Sequence, residues 1–92
     1  MDLHSPDEPV YVISVVARLV GMPTHTLRLV ERQGLITPSR TERNIRLYSD
    51  NDVKRLQRIC TLMKVHGVNW AGVKLLLTME ESQQNQSTER GF

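Results

Sequence analysis

The chain has 92 residues, one cysteine and a formal charge of +2, which points to one small domain that buries roughly two thirds of its unfolded surface. So thin a core leaves little room for an enclosed catalytic pocket, and a lone thiol closes no internal disulfide. No apolar run approaches the roughly 20 residues that span a bilayer, and nothing resembles a secretory leader, so the expectation is a cytoplasmic chain without a membrane segment.

Residues 1–9, MDLHSPDEP, are polar, acidic and proline-bearing and read as a flexible tail. The folded part is then 10–79. VYVISVVARLVG opens extended and changes period: Ile13, Val16, Ala17 and Val20 follow the face of a helix. Ser14 is placed to cap its start and Gly21 to end it. This β-branched, two-turn helix is weak alone, so packing must hold it.

After GMP comes THTLRLVERQG, with Pro23 setting the entering backbone and Gly34 supplying a left-handed stop. Leu27 and Val30 face inward, whereas His25, Arg28, Leu29 and Arg32 share the opposite stripe. Two short helices about three residues apart form a helix-turn-helix signal.

Pro38 then breaks helicity ahead of SRTERNIRLYS, where Arg40, Arg43 and Arg46 stand three apart. A β-hairpin accounts for the spacing: with Thr41 paired to Ile45, the loop is Glu42-Arg43-Asn44 and ends on a residue that tolerates the left-handed conformation. This register sets Arg40 across from Arg46. Like charges so opposed repel, and the arrangement becomes favourable if phosphates run past the ribbon. The alternative is an exposed basic loop without a partner.

SDNDVKRLQRICTLMKVHG is the clearest helix, with Ser49 and Asp52 approximating a capping box and Gly67 stopping the far end. Its apolar face is Val53, Leu56, Ile59, Cys60 and Met63, with Arg55 and Arg58 off the stripe. Asn69 caps a last helix, WAGVKLLLTME, that turns Val73, Leu76 and Leu77 inward. Residues 80–92 lack apolar positions and read as a polar, disordered tail.

Charge is unevenly spread. Residues 1–12 carry three acids and no base, whereas residues 18–58 hold nine Arg or Lys against four acids, and eight of the nine are arginine. Arginine presents a planar fork that matches phosphate, so a polyanion partner and a merely solvated surface both remain open on composition.

Together THTLRLVERQGLITPSRT, IRLYSDNDVKRLQRI and HGVNWAGVKLLL resemble the DNA-binding domain of the MerR family of bacterial transcription regulators, over Tyr11 to Leu77. Within that family the segments look most like the heat-shock repressor branch. The resemblance implies a mainly α, winged helix-turn-helix domain with a small β-hairpin wing and two further helices. It also implies repression of stress and chaperone genes, double-stranded DNA as partner, and an Hsp70-type chaperone as co-repressor. Carried over by position, Arg28 matches the arginine of the recognition helix, Arg40 and Arg46 the wing arginines, and Tyr48 the tyrosine that closes the wing.

Two departures stand out. Leu29 and Val30 replace the paired aromatics that commonly follow the recognition arginine, and Arg43-Asn44-Ile45 replaces the usual Asn-Gly-Tyr of the wing, adding charge at its tip. No heptad pattern follows Met79, where the family usually continues into a dimerising helix, so a homodimer and side-by-side monomers on DNA are both open.

Cys60 reads as a buried small hydrophobe and Trp70 as a packing residue. Asp50 and Asp52 are explained by the electrostatics of a helix start. His4, His25 and His66 have no ligand spacing, and no nucleophile, base and orienting group align, so neither a metal, a cofactor nor catalysis is expected. The candidate DNA-binding residues are Thr24, His25, Arg28, Arg40, Arg43, Asn44, Arg46 and Tyr48. Two rivals stay open: an excisionase-like architectural DNA-binding protein, and a protein-interaction module with a basic face.

Overall fold

The computed structural model describes residues 4–67 and 69–90. Helix α1, Ile13–Val20, follows an extended Val12 and is closed by Gly21, whose φ of 74° lies in the left-handed region. No side chain caps its start; Ser14, expected to do so, sits inside the first turn because the helix begins at Ile13, with Val12 in the capping position. Helix α2, Thr24–Arg32, starts after Pro23 and buries Leu27 and Val30. These two helices pack against each other, as the helix-turn-helix reading requires.

Strands β1, Ser39–Arg40, and β2, Arg46–Leu47, pair antiparallel with Arg40 opposite Arg46. Thr41 N–H donates to Ile45 O at 2.9 Å, and Asn44 takes a φ of 64°, so the expected register and left-handed loop residue are both present. The hairpin is anchored to the body through Tyr11: Tyr11 N–H donates to Tyr48 O at 2.9 Å, and Tyr48 N–H to Tyr11 O at 2.8 Å.

Helix α3, Asp50–His66, begins with the capping box: Ser49 Oγ accepts from Asp52 N–H at 3.0 Å, and Asp52 Oδ2 accepts from Ser49 N–H at 2.9 Å. It packs against α1 and against α4, Trp70–Arg90, whose first turn is held by Asn69 Oδ1 accepting from Gly72 N–H at 3.1 Å. The core joins Val16 and Val20 of α1, Leu27 and Val30 of α2, Leu56, Ile59, Cys60 and Leu62 of α3, and Val73 and Leu77 of α4. Leu62 is an addition to the face read from sequence.

The residue 80 boundary falls inside α4, and Glu80 and Glu81 there pair with Arg58 and Arg55 of α3. These cross-helix ion pairs carry α4 beyond its apolar positions. At the other end, residues 4–9 lie against the start of α3. Asn51 N–H donates to Pro6 O at 3.0 Å, Asn51 Nδ2 donates to Asp7 Oδ1 at 2.6 Å, and Asp50 accepts from Tyr11 Oη at 2.6 Å and meets His4 Nε2 at 2.9 Å. The Tyr11 hydroxyl and His4 hold the Asp50 carboxyl below the usual carboxylate range.

Candidate nucleic-acid interface

Helix α2 presents its polar stripe outward because Leu27 and Val30 fill the core behind it. His25, Arg28, Leu29 and Arg32 are exposed and Thr24 is half-buried. No side chain caps its first turn, so the positive end of its dipole is left to an outside acceptor.

The wing is ordered by Thr41, which the sequence reading used for the register but not for its side chain. Its hydroxyl oxygen accepts from Arg43 N–H and from Ile45 N–H, each at 3.2 Å, while its carbonyl accepts from Asn44 N–H at 2.8 Å. A side-chain oxygen satisfying nearby amides is the usual way a Thr stabilises a turn. Arg43 is thereby lifted to the tip, exposed, with no side-chain bond or ion pair among the described residues. Asn44 serves the backbone: it supplies the left-handed residue, and its carbonyl accepts from Arg40 Nη1 at 3.2 Å.

Wing and helix meet over a shallow concavity lined by Arg28, Glu31, Arg32 and Arg46. Cations from α2 and from β2 therefore stand on one side of the molecule. Between them lies Glu31, whose Oε1 accepts from Arg46 Nε at 2.6 Å and whose Oε2 accepts from Arg40 Nη2 at 3.0 Å. Partial burial pushes the Glu31 carboxyl up, but the hydrogen bonds and charges of Arg46 and Arg40 outweigh it and hold the pKa below the usual range. The expected mutual repulsion of Arg40 and Arg46 is thus offset inside the protein, before any phosphate arrives. Glu31 was counted in the sequence only as one of four acids; the available signal was its position three residues from Arg28 on the same helix.

Tyr48 is corrected outright as a surface contact. Its ring has 0% exposure and its hydroxyl is buried without a protein partner among the described residues. It packs into the core because the Tyr11 bridge draws the end of the wing against the body. Burial pushes its pKa up, against the pull of Arg46, Arg40 and Arg28. Cys60 is buried in the core, as read. Among the described residues no cluster of His, Cys, Asp or Glu is arranged to hold a metal, and no helix is long and apolar enough to cross a membrane.

Comparison with known proteins places this geometry. Residues 11–80 match the family described as MerR HTH family regulatory protein. A heat shock protein HspR of Streptomyces coelicolor is 43% identical over 74 residues, covering 80% of this chain and 49% of that protein. The transcriptional regulator GlnR of Bacillus anthracis is 39% identical over 75 residues, covering 82% of this chain and 57% of that protein. The chain thus spans about half the length of these relatives. Among solved structures, the regulator PbrR691 of Ralstonia metallidurans, in complex with lead(II), superposes with a TM-score of 0.67 at 24% identity, over 80% of this chain and 58% of that one. HiNmlR, a MerR-family regulator lacking the sensor domain and bound to promoter DNA, superposes with a TM-score of 0.63 at 21% identity, over 87% and 71%. With the helix pair, the wing and the two further helices all in place, the chain belongs to the MerR family, whose members are transcription regulators and not enzymes.

Proposed function

We propose that this chain binds double-stranded DNA at promoters and represses stress and chaperone genes. The observation that carries the reading is the shared concavity: Arg28 and Arg32 of α2 and Arg46 of β2 line one surface, so helix and wing address one duplex together. Helix α2 enters the major groove and brings Thr24, His25 and Arg28 to base edges or flanking phosphates. The wing lies along the backbone or in the adjacent minor groove, with Arg43 foremost and Arg40 and Arg46 behind it. Phosphate contacts supply most of the affinity, and the few groove contacts supply register and sequence choice.

The repressor role and the stress targets are supported by the 43% identity to HspR of Streptomyces coelicolor and by the way the wing and the last helix are written. An Hsp70-type chaperone is the co-repressor in this reading. On DNA the chain acts as a homodimer across an inverted repeat or as monomers side by side, which the spacing of protected half-sites distinguishes.

Genome-wide mapping of the bound chain, with and without heat shock, tests the proposal. Occupancy at chaperone promoters that falls on heat shock is the expected result. Occupancy confined to recombination attachment sites would favour an architectural role, and a chain that shifts no duplex even at low salt would remove DNA from the account.

A further inference from the structure

Arg40 and Arg46 oppose each other across the hairpin, and Glu31 engages both from α2, one carboxylate oxygen to each guanidinium. The three side chains are 34%, 24% and 23% exposed in the order Arg40, Arg46, Glu31, so the cluster is partly withdrawn from water and its geometry is restrained. It is also a long-range tie: 15 residues separate Glu31 from Arg46, and the hairpin's own ladder is only two residue pairs long. A ribbon that short has little intrinsic stiffness. Something else must set its angle to α2, and at the face turned toward the helix the Glu31 clasp does so.

We infer that Glu31 is a positioning residue for DNA recognition: its clasp of Arg40 and Arg46 fixes the wing against α2 and cancels one of the charges the wing would otherwise offer to any phosphate. The inference rests on the DNA-binding reading above. Two consequences follow from the geometry. Random duplex gains less from the wing than two arginines would give it. A duplex whose backbone passes both α2 and the held wing gains from both at once, so discrimination rises as indiscriminate attraction falls.

The test compares a duplex of about 20 base pairs, enriched by the wild-type chain from a random library, with unselected duplex of the same length, by fluorescence anisotropy across roughly 50 to 200 mM salt. Glu31→Gln keeps the shape and removes the charge. It is expected to tighten binding to unselected duplex about five- to tenfold near 0.1 M salt and to steepen the salt slope by about 0.9, while the ratio of enriched to unselected affinity falls. Glu31→Asp keeps the charge and shortens the reach, so it leaves the slope at the wild-type value and still lowers the ratio. A purely structural role would weaken both duplexes in parallel without steepening the slope, and that result overturns the inference. So does an unchanged ratio in Glu31→Asp, which carries the test alone if Glu31→Gln does not fold. A wild-type chain that enriches no duplex is a separate outcome: it overturns the DNA reading, and this inference with it.

Discussion

Replacing Tyr48 by phenylalanine removes a single oxygen from the middle of the protein, and the structure says what that oxygen costs. The ring has 0% exposure, and its hydroxyl is enclosed without a protein hydrogen-bond partner among the described residues. A buried polar group left unpaired forfeits about 1–3 kcal/mol of hydration, whereas the apolar ring contacts are kept by phenylalanine and the space vacated is one atom. Tyr48→Phe is therefore expected to raise stability by about 1 kcal/mol, which in a domain of this size lifts Tm by about 4–8 °C. Thermal melts followed by circular dichroism read the shift, and anisotropy on the same samples is expected to show unchanged affinity for DNA, since the hydroxyl does not reach the surface. A Tm that falls by several degrees would refute the reasoning, because it would mean that the hydroxyl is satisfied. A loss of DNA affinity without loss of stability would restore Tyr48 to the interface where its family motif places it.

Arg28→Ala is expected to cost about 1–3 kcal/mol of discrimination between enriched and unselected duplex, while Arg43→Ala weakens both alike and flattens the salt slope by about 0.9; equal losses of specificity in the two variants would count against the division of labour between helix and wing. Ser49→Ala breaks the capping box at the head of α3 and is expected to destabilise the fold by about 1 kcal/mol in urea titrations, with a change below a few tenths showing that the cap is dispensable. Because the folded-state pKa of Glu31 is lowered, its ion pairs stabilise the fold above the unfolded carboxylate value of about 4.3, and that contribution is lost as pH falls through the folded value. Melts of wild type and Glu31→Gln should accordingly differ at pH 6 and converge on acidification below about pH 4.3; a gap that stays constant with pH would mean that the pairs contribute nothing to stability.

What could be read from the chain before folding was local. The hairpin register follows from a loop of three residues and from Asn44, whose tolerance of positive φ is a property of that residue alone. The α3 cap follows from Ser49 and Asp52 at a spacing the backbone imposes. Interactions between distant segments carried no such signature. Asn51 binding Asp7 spans 44 residues and Arg55 binding Glu81 spans 26, and in each case polar composition alone suggested a tail. Tyr48 was misplaced for a related reason: β2 is two residues long, too short for alternation to tell which face the next side chain takes, and its burial depends on Tyr11, 37 positions away.

The same distinction changes the meaning of the charge excess that first pointed to a polyanion. Nine bases lie in residues 18–58, but Arg40 and Arg46 are engaged by Glu31, Arg55 by Glu81 and Arg58 by Glu80. Those four guanidiniums serve the fold first. Arg28 and Arg32 on α2 and Arg43 at the wing tip have no side-chain partner among the described residues, and they lie on the helix and the wing that the concavity joins. A sequence counts charges, whereas a partner meets only those the fold leaves unspent. Ion pairs between α3 and α4 engage Arg55 and Arg58, whereas the guanidiniums of Arg28, Arg32 and Arg43 stay available on α2 and the wing to an approaching polyanion. On that basis Arg58→Ala should leave DNA affinity nearly unchanged, although it removes the same formal charge as Arg43→Ala. Equal losses of affinity in those two variants would show that overall charge, and not its placement, draws the duplex in.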